Sequence, residues 1–140
     1  MVNIHYHFDQ LFQEWFSILI EDENTYSRLD DAFAPIILQN GYEVAFTDLS
    51  GGEKTSAALA YRLALNRVIT TLIHTINTKD LLILDEPTDG FSIEQLDKVR
   101  EVLERLQSKQ TIIVSHESKI ESFVNNVIRI QKEGHVSGVI

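Results

Sequence analysis

Hydrophobic residues in the first 20 positions recur with the period of an α-helix. Six of them form one wide apolar face: Phe8, Leu11, Phe12, Trp15, Phe16 and Leu19. This pattern predicts a helix that packs in the core, although so many aromatic rings would also suit a surface that binds a partner. The acidic stretch 21–24 ends the helix.

The apolar runs become shorter between residues 25 and 46. Asn40-Gly41 is a strong hairpin signal, and the strand-forming stretch from Tyr42 to Phe46 follows it. These features predict a small antiparallel sheet that leads the chain to Leu49.

A long helix is predicted after Gly51 and Gly52. Its apolar residues run to about Ile76 and cover more than half of its circumference, so the helix should be mostly buried. Lys54 and Arg62 are the cations near its beginning.

Two aliphatic runs without alternation, Leu81–Leu84 and Thr111–Val114, predict strands that are covered on both faces. Between them, Ser92 and Gln95 have capping-box spacing at the start of a helix. The inner face of this helix comprises Leu96, Val99, Leu103 and Leu106. The strand, helix and strand form a βαβ unit, which makes the fold class α/β with a parallel-sheet core, a small antiparallel sheet and flanking helices.

The last part of the chain predicts a short helix and a hairpin. Ser118 and Glu121 have capping-box spacing, and residues 127–130 and 136–140 are apolar segments that flank a turn at Glu133-Gly134. No repeat or linker divides the sequence, so residues 1–140 are expected to be one domain, or one lobe of a larger one.

Composition restricts the possible functions. The chain has no cysteine, which excludes disulfides and thiolate metal sites and is compatible with a reducing cytosolic compartment. No apolar run reaches the roughly 18 residues that a membrane span needs. The formal net charge of −9 repels nucleic acid, so most phosphate contacts to DNA would have to come from elsewhere.

Candidate chemistry lies where the two aliphatic strands end. Asp85 and Glu86 follow the first strand and His116 follows the second, and the carboxyl ends of parallel strands meet at one edge of a sheet. Adjacent carboxylates in this position can hold Mg²⁺ and activate water. The alternatives are that the two acids only start a turn, and that His116 is an ordinary polar residue at a strand end.

The segment Ser50-Gly51-Gly52 is a second candidate, because it directly precedes a helix. Unpaired backbone N–H groups and the positive end of the helix dipole favour an anion such as phosphate there, and glycine permits close approach. The same segment could be only a cap and a turn.

Together these segments resemble the motifs of ATP-binding-cassette ATPases. LSGGE at 49–53 is similar to their signature motif, LLILDE at 81–86 to their Walker B strand, and the histidine of VSHES at 114–118 to their switch histidine. Within that superfamily, LSGGEKTSAALAYRLAL, LILDEPTDG and FAPIILQNGY most resemble archaeal Rad50, the ATPase of DNA double-strand-break repair.

The resemblance implies a role for each matching residue. Glu86 and His116 would be catalytic and Asp85 would hold Mg²⁺. The residues that would bind ATP are Ser50, Gly51, Gly52, Glu53 and Lys54. Arg62 matches a basic switch on the signature helix.

The sequence also departs from the family in two places. The phosphate-binding motif G-x-x-x-x-G-K-[ST] is missing, which implies that this chain is the C-terminal half of a head. It would hydrolyse ATP only with an N-terminal lobe that carries the motif. The segment Asp89-Gly90-Phe91-Ser92 stands where many relatives have Leu-Asp, which puts a dimer contact in doubt.

The resemblance further implies a second head in an ATP-dependent dimer, the Mre11 nuclease and double-stranded DNA as partners. It implies a cytoplasmic, nucleoid-associated protein that needs no membrane. The alternatives are a head lobe of another SMC-like ATPase, an interaction module of the same fold that does not hydrolyse ATP, and a purely structural α/β domain.

Overall fold

A computed structural model of the chain describes residues 2–72 and 81–140. The helices are α1 (Val2–Ile20), α2 (Gly51–Leu72) and α3 (Ile93–Leu106). The strands are β1 (Thr25–Leu29), β2 (Pro35–Gln39), β3 (Tyr42–Val44), β4 (Leu81–Asp85), β5 (Gln110–Val114), β6 (Ile130–Glu133) and β7 (Val136–Val139). Short 3-10 helices span Phe46–Asp48 and Ser118–Phe123.

Helix α1 uses its apolar face to build the core. Phe12 and Phe16 are fully buried, and Phe8, Trp15 and Leu19 are nearly so. The face packs mainly against α2 and β1. The interpretation as a core helix is therefore confirmed.

The small antiparallel sheet has the order β1-β2-β3. Its β2–β3 turn is formed by Asn40 and Gly41, which both have positive φ (52° and 82°), as a tight hairpin turn requires. Strand β3 ends at Val44, two residues earlier than predicted, because the chain turns into a 3-10 helix that delivers the buried side chain of Leu49 to the core.

Helix α2 is confirmed from Gly51 to Leu72, and its small residues allow close packing. Ala57, Ala60, Leu63 and Ala64 are buried against the α1 side of the core. Ile73 and Ile76, which the sequence assigns to the same helix, lie outside the described residues.

Strands β4 and β5 pair in parallel with α3 as their connection, so the predicted βαβ unit is confirmed. The prediction that both faces are covered is wrong for the described part of the chain. Leu82 and Leu84 point into the core, but the pleat turns Leu81 and Ile83 outward, and Ile112 and Val114 of β5 are 42% and 50% exposed. The sheet has two strands, and none of the described elements covers this apolar face.

Helix α3 begins with the predicted capping box. The hydroxyl of Ser92 accepts the N–H of Gln95 at 3.2 Å, and the side chain of Gln95 accepts the N–H of Ser92 at 3.0 Å. Its buried face includes Leu96, Val99 and Leu106 as predicted, together with Val102, which the prediction missed.

Two predictions for the last segment need correction. Residues 118–123 form a 3-10 helix whose N-cap is Glu117, without a side-chain cap, so Ser118 does not cap it. The hairpin begins at Ile130, not at residue 127, and Gly134 and His135 form its turn. The bond from Ile140 N–H to the Arg129 carbonyl (3.0 Å) lies just beyond the ladder.

Within residues 2–72 and 81–140, no helix is both long enough and apolar enough to cross a membrane.

Ser92 and Ser118 both have capping-box spacing in the sequence, but only Ser92 caps a helix in the structure, and this difference is testable. Replacing Ser92 by Ala removes the acceptor of the Gln95 N–H and should lower the free energy of unfolding by about 1 kcal/mol in urea titrations. Ser118→Ala is the matched control and should change it by less than about 0.5 kcal/mol. Equal effects would contradict the assignment of the caps.

Candidate functional site

The parallel register of β4 and β5 brings the two strand-end groups together. Asp85 is the register partner of Val114, and the N–H of Glu86 donates to the carbonyl of Val114 at 2.9 Å. His116 lies two residues further on, and its Nδ1 is 3.0 Å from Oε2 of Glu86. The structure thus places the candidate water-activating carboxylate in contact with the candidate switch histidine.

The backbone of Glu86 is strained. Its φ of 42° lies in the left-handed region, which costs a non-glycine residue free energy. The following Pro87 and Thr88 are buried, and the N–H of Phe91 closes a turn on the carbonyl of Thr88 at 3.0 Å. The buried Pro87 and Thr88 thus anchor the chain directly after Glu86.

The carboxylate of Glu86 raises the pKa of His116. The hydrogen bond to Glu86 is the main cause, followed by the charge of the same carboxylate, whereas Glu117 and Asp89 contribute less. Both partners are well exposed, so the pair is screened by solvent. The imidazole therefore stays protonated to a higher pH than an isolated histidine.

Asp85 is exposed at the end of β4. Among the residues that the structure describes, no group of three His, Cys, Asp or Glu side chains could form a metal site. A single free carboxylate suits Mg²⁺ bound together with nucleotide phosphates, because Mg²⁺ usually takes one or two carboxylates and fills its octahedron with phosphate oxygens and water. Asp85 fits that mode and does not fit a site made only of protein ligands.

A second capping box starts helix α2. The Ser50 hydroxyl accepts the N–H of Glu53 at 3.2 Å, and the Glu53 carboxylate accepts the N–H of Ser50 at 2.7 Å. The other oxygen of Glu53 accepts a hydrogen bond from the side chain of Gln39 in β2 at 2.7 Å. Ser50 therefore caps α2, as one of the two interpretations predicted. The capping box also fixes the Ser50 hydroxyl at the helix N-terminus.

The two glycines after Ser50 have different surroundings. A Cβ at Gly52 would lie 2.9 Å from Oε1 of Gln95, whose side chain is held in the capping box of α3. A Cβ at Gly51 would have no atom within 4 Å, and its φ is not positive. The packing of the described residues therefore explains the glycine at position 52 but not the one at position 51.

Lys54 and Arg62 lie one to three turns into α2 and line a cavity of about 370 Å³ with Glu86 and Asp89. The Nζ of Lys54 donates to the carbonyl of Thr47 at 2.9 Å. The cavity brings both cations to the side of the site where Glu86 lies, whereas Ser50, Gly51, Asp85 and His116 are not among its lining residues.

Three contacts at the site were missed by the sequence analysis. Thr55 donates its hydroxyl to the carbonyl of Asp89 at 2.8 Å, Gln95 lies against Gly52, and Gln39 holds Glu53. Only Gln95 carried a signal, as a capping residue. The other contacts join residues distant in the chain and depend on how α2 packs. Ser92 is a helix cap, as its sequence position indicated.

The sequence is similar to archaeal Rad50 ATPases. The DNA double-strand break repair Rad50 ATPase of Pyrococcus abyssi is 39% identical over 105 residues, which are 74% of this chain and 11% of the relative. The one from Thermococcus kodakarensis is 33% identical over 135 residues, which are 94% of this chain and 14% of the relative. The chain thus spans about one seventh or less of the relatives it matches, and no family model matches it.

The fold is that of SMC ATPase heads. A chain from a study of ATP-driven dimerization and DNA stimulated activation of SMC ATPases superposes with a TM-score of 0.75, at 18% identity, over 99% of this chain and 85% of its own length. The SMC head domain from Thermotoga maritima gives 0.67 at 20% identity, over 99% of this chain and 48% of its own length. The resemblance to Rad50 and the α/β fold class are thereby confirmed, and the chain is homologous to part of the Rad50 ATPases.

The contact between Glu86 and His116 predicts a specific titration behaviour. Glu86→Gln removes the main cause of the raised pKa, so the pKa of His116 measured by NMR should fall toward its ordinary value. In the wild type the contribution of the pair to stability is fully present below the ordinary pKa of histidine. It is lost as the pH rises through the raised pKa of His116.

The matched control is Glu117→Gln, because Oε1 of Glu117 is 3.8 Å from the other ring nitrogen of His116. It should lower the pKa of His116 less than Glu86→Gln does. The opposite order, or no change in either variant, would contradict the described contact.

Proposed function

We propose that this chain, a homologue of part of the Rad50 ATPases, is the C-terminal lobe of an ATPase head that acts in DNA double-strand-break repair. The observation that carries the proposal is the contact of Glu86 with His116 at the ends of paired parallel strands. An acid and a histidine placed in this way can orient and deprotonate water beside a phosphate.

An N-terminal lobe would complete the head. The outer face of the β4–β5 sheet exposes Leu81, Ile83, Ile112 and Val114, an apolar surface of the kind that another protein element covers. The sequence lacks a phosphate-binding loop, which that lobe would supply. Hydrolysis of ATP therefore requires both lobes in this proposal, and residues 1–140 form one of them.

Each residue at the strand ends has one task in the proposed reaction. Asp85 holds Mg²⁺, which neutralises phosphate charge when it is bound. Glu86 orients the attacking water and accepts its proton. His116 turns from Glu86 toward the γ-phosphate, which its protonated form attracts.

The start of α2 binds the γ-phosphate of an ATP held by a second head. Ser50 offers its hydroxyl, and the first N–H groups of the helix point out of its N-terminus. Packing does not require a glycine at position 51, and this supports the role, because a phosphate can approach the backbone closely where there is no side chain. Two shared ATP molecules then favour the closed pair of heads over the open one.

Lys54 and Arg62 have supporting roles in this proposal. Lys54 adds positive charge near the phosphate-binding helix start, while its ammonium group is held at the carbonyl of Thr47. Arg62 shares a cavity with Glu86 and acts as the switch that relates the nucleotide state to the movement of the lobes.

The same homology supports a set of partners for the whole assembly. The proposal includes the Mre11 nuclease and double-stranded DNA, whose tethering and processing the head dimer controls, in a cytoplasmic, nucleoid-associated complex. The net charge of −9 supports an arrangement in which other parts of the complex provide most phosphate contacts to DNA.

The proposed trans site can be tested by ATP-dependent dimerisation of the two-lobed head, measured by light scattering. Ser50→Arg should abolish dimerisation, because it places bulk and charge at the helix start. Gly51→Ala should weaken dimerisation by at least about tenfold without lowering the melting temperature, since its Cβ meets no atom of the fold.

Thr71→Ala, an exposed change toward the other end of α2, is the matched control and should dimerise like the wild type. Gly52→Ala is unsuitable as a test, because its Cβ would displace the side-chain amide of Gln95 from the capping box of α3. Normal dimerisation of Ser50→Arg would refute the trans site.

A further inference from the structure

Each oxygen of the half-buried Glu53 carboxylate accepts a hydrogen bond from the protein itself. One oxygen accepts the backbone N–H of Ser50 and the other accepts the side-chain N–H of Gln39, both at 2.7 Å. The two donors are distant in sequence from each other, since Gln39 ends β2 and Ser50 precedes α2. Glu53 therefore joins the small antiparallel sheet to the start of α2.

The donor on the sheet side is held firmly. Gln39 pairs with Thr25 of β1 on one side and with Tyr42 of β3 on the other, so its backbone lies in the central strand of the sheet. Its position next to the hairpin turn is fixed by that register. The backbone of Gln39 is thus fixed in the sheet, and its side chain reaches Glu53 from there.

The partner on the helix side is Ser50, whose N–H donates to the Glu53 carboxylate and whose hydroxyl accepts the Glu53 N–H. Because Glu53 takes the N–H of Ser50 and gives its own N–H to the Ser50 hydroxyl, the orientation of that hydroxyl is set by the position of Glu53. The hydroxyl oxygen accepts this bond, which leaves its proton free to be donated to an external anion.

We propose that Glu53 is a positioning residue for Ser50 and that Gln39 is its anchor, so that the small sheet sets the geometry of the γ-phosphate site. The inference rests on the proposed function, because it assigns Ser50 the trans phosphate. It differs from direct nucleotide binding by Glu53 in one respect. The positioning role requires a hydrogen-bonded partner at position 39 and does not require the negative charge at position 53.

An exchange of the two side chains separates these roles. In Gln39→Glu two carboxylates face each other, so the bond from position 39 to position 53 is lost. In the double variant Gln39→Glu/Glu53→Gln, the amide at position 53 donates to the carboxylate at position 39 while its oxygen still accepts the Ser50 N–H. The pair of bonds is restored with the charge on the other element.

The experiment measures ATP-dependent dimerisation of the complete two-lobed head, with ATP affinity of the single head as a second readout. Gln39→Glu should weaken dimerisation by about tenfold without changing ATP affinity, and the double variant should return to within about twofold of the wild type. Gln39→Met removes the donor without adding charge and should give a smaller loss in the same direction, which keeps the test valid if Gln39→Glu folds poorly.

Ser50→Arg distinguishes failure of this inference from failure of the proposed function. If Ser50→Arg dimerises normally, the trans site itself is wrong. If Ser50→Arg blocks dimerisation while Gln39→Glu and Gln39→Met behave like the wild type, Glu53 has no anchor and the inference is overturned. A double variant as weak as Gln39→Glu would also overturn it, since the charge of Glu53 would then be needed at the nucleotide.

Discussion

The parallel pairing of β4 with β5 is the constraint on which the candidate site depends. The register that opposes Asp85 to Val114 also determines that Glu86 and His116 leave the sheet at the same edge. A shift of one residue would turn Leu82 and Leu84 out of the core, so burial of these two side chains maintains the register. The same hydrophobic packing that stabilises the strand therefore positions the acid and the histidine.

The second part of the candidate site lies at the start of α2 and depends on hydrogen bonds as well as on burial. Leu49 is buried and anchors the entry, while Ser50 and Glu53 satisfy each other's backbone N–H groups. Thr55 binds the carbonyl of Asp89, which connects this helix to the turn that follows Glu86. The two halves are thus joined within one chain, yet the exposed apolar face of β4 and β5 leaves a surface that suits another lobe.

Much of this arrangement could be predicted from sequence because the relevant signals are local. Helical periodicity predicted α1 and α2, Asn40-Gly41 predicted the hairpin, and the ends of the two strands predicted that Glu86 and His116 lie close together. The number of covered faces on β4 could not be predicted. A strand that is apolar on both faces has the same sequence pattern whether this chain or a partner packs against it. The cap predicted at Ser118 was wrong because capping-box spacing does not reveal that the segment is a 3-10 helix. The link from Gln39 to Glu53 depends on tertiary packing and left no sequence pattern.

The central claim is that this chain is one lobe of a head whose phosphate loop lies on another polypeptide segment. The most direct measurement is ATP hydrolysis by this chain alone and after mixing with an N-terminal lobe that carries the phosphate loop. The account predicts turnover only in the mixture, and its near loss in a mixture containing Glu86→Gln, which should still bind ATP. Hydrolysis by the chain alone, or turnover within a fewfold of the wild type after Glu86→Gln, would contradict it.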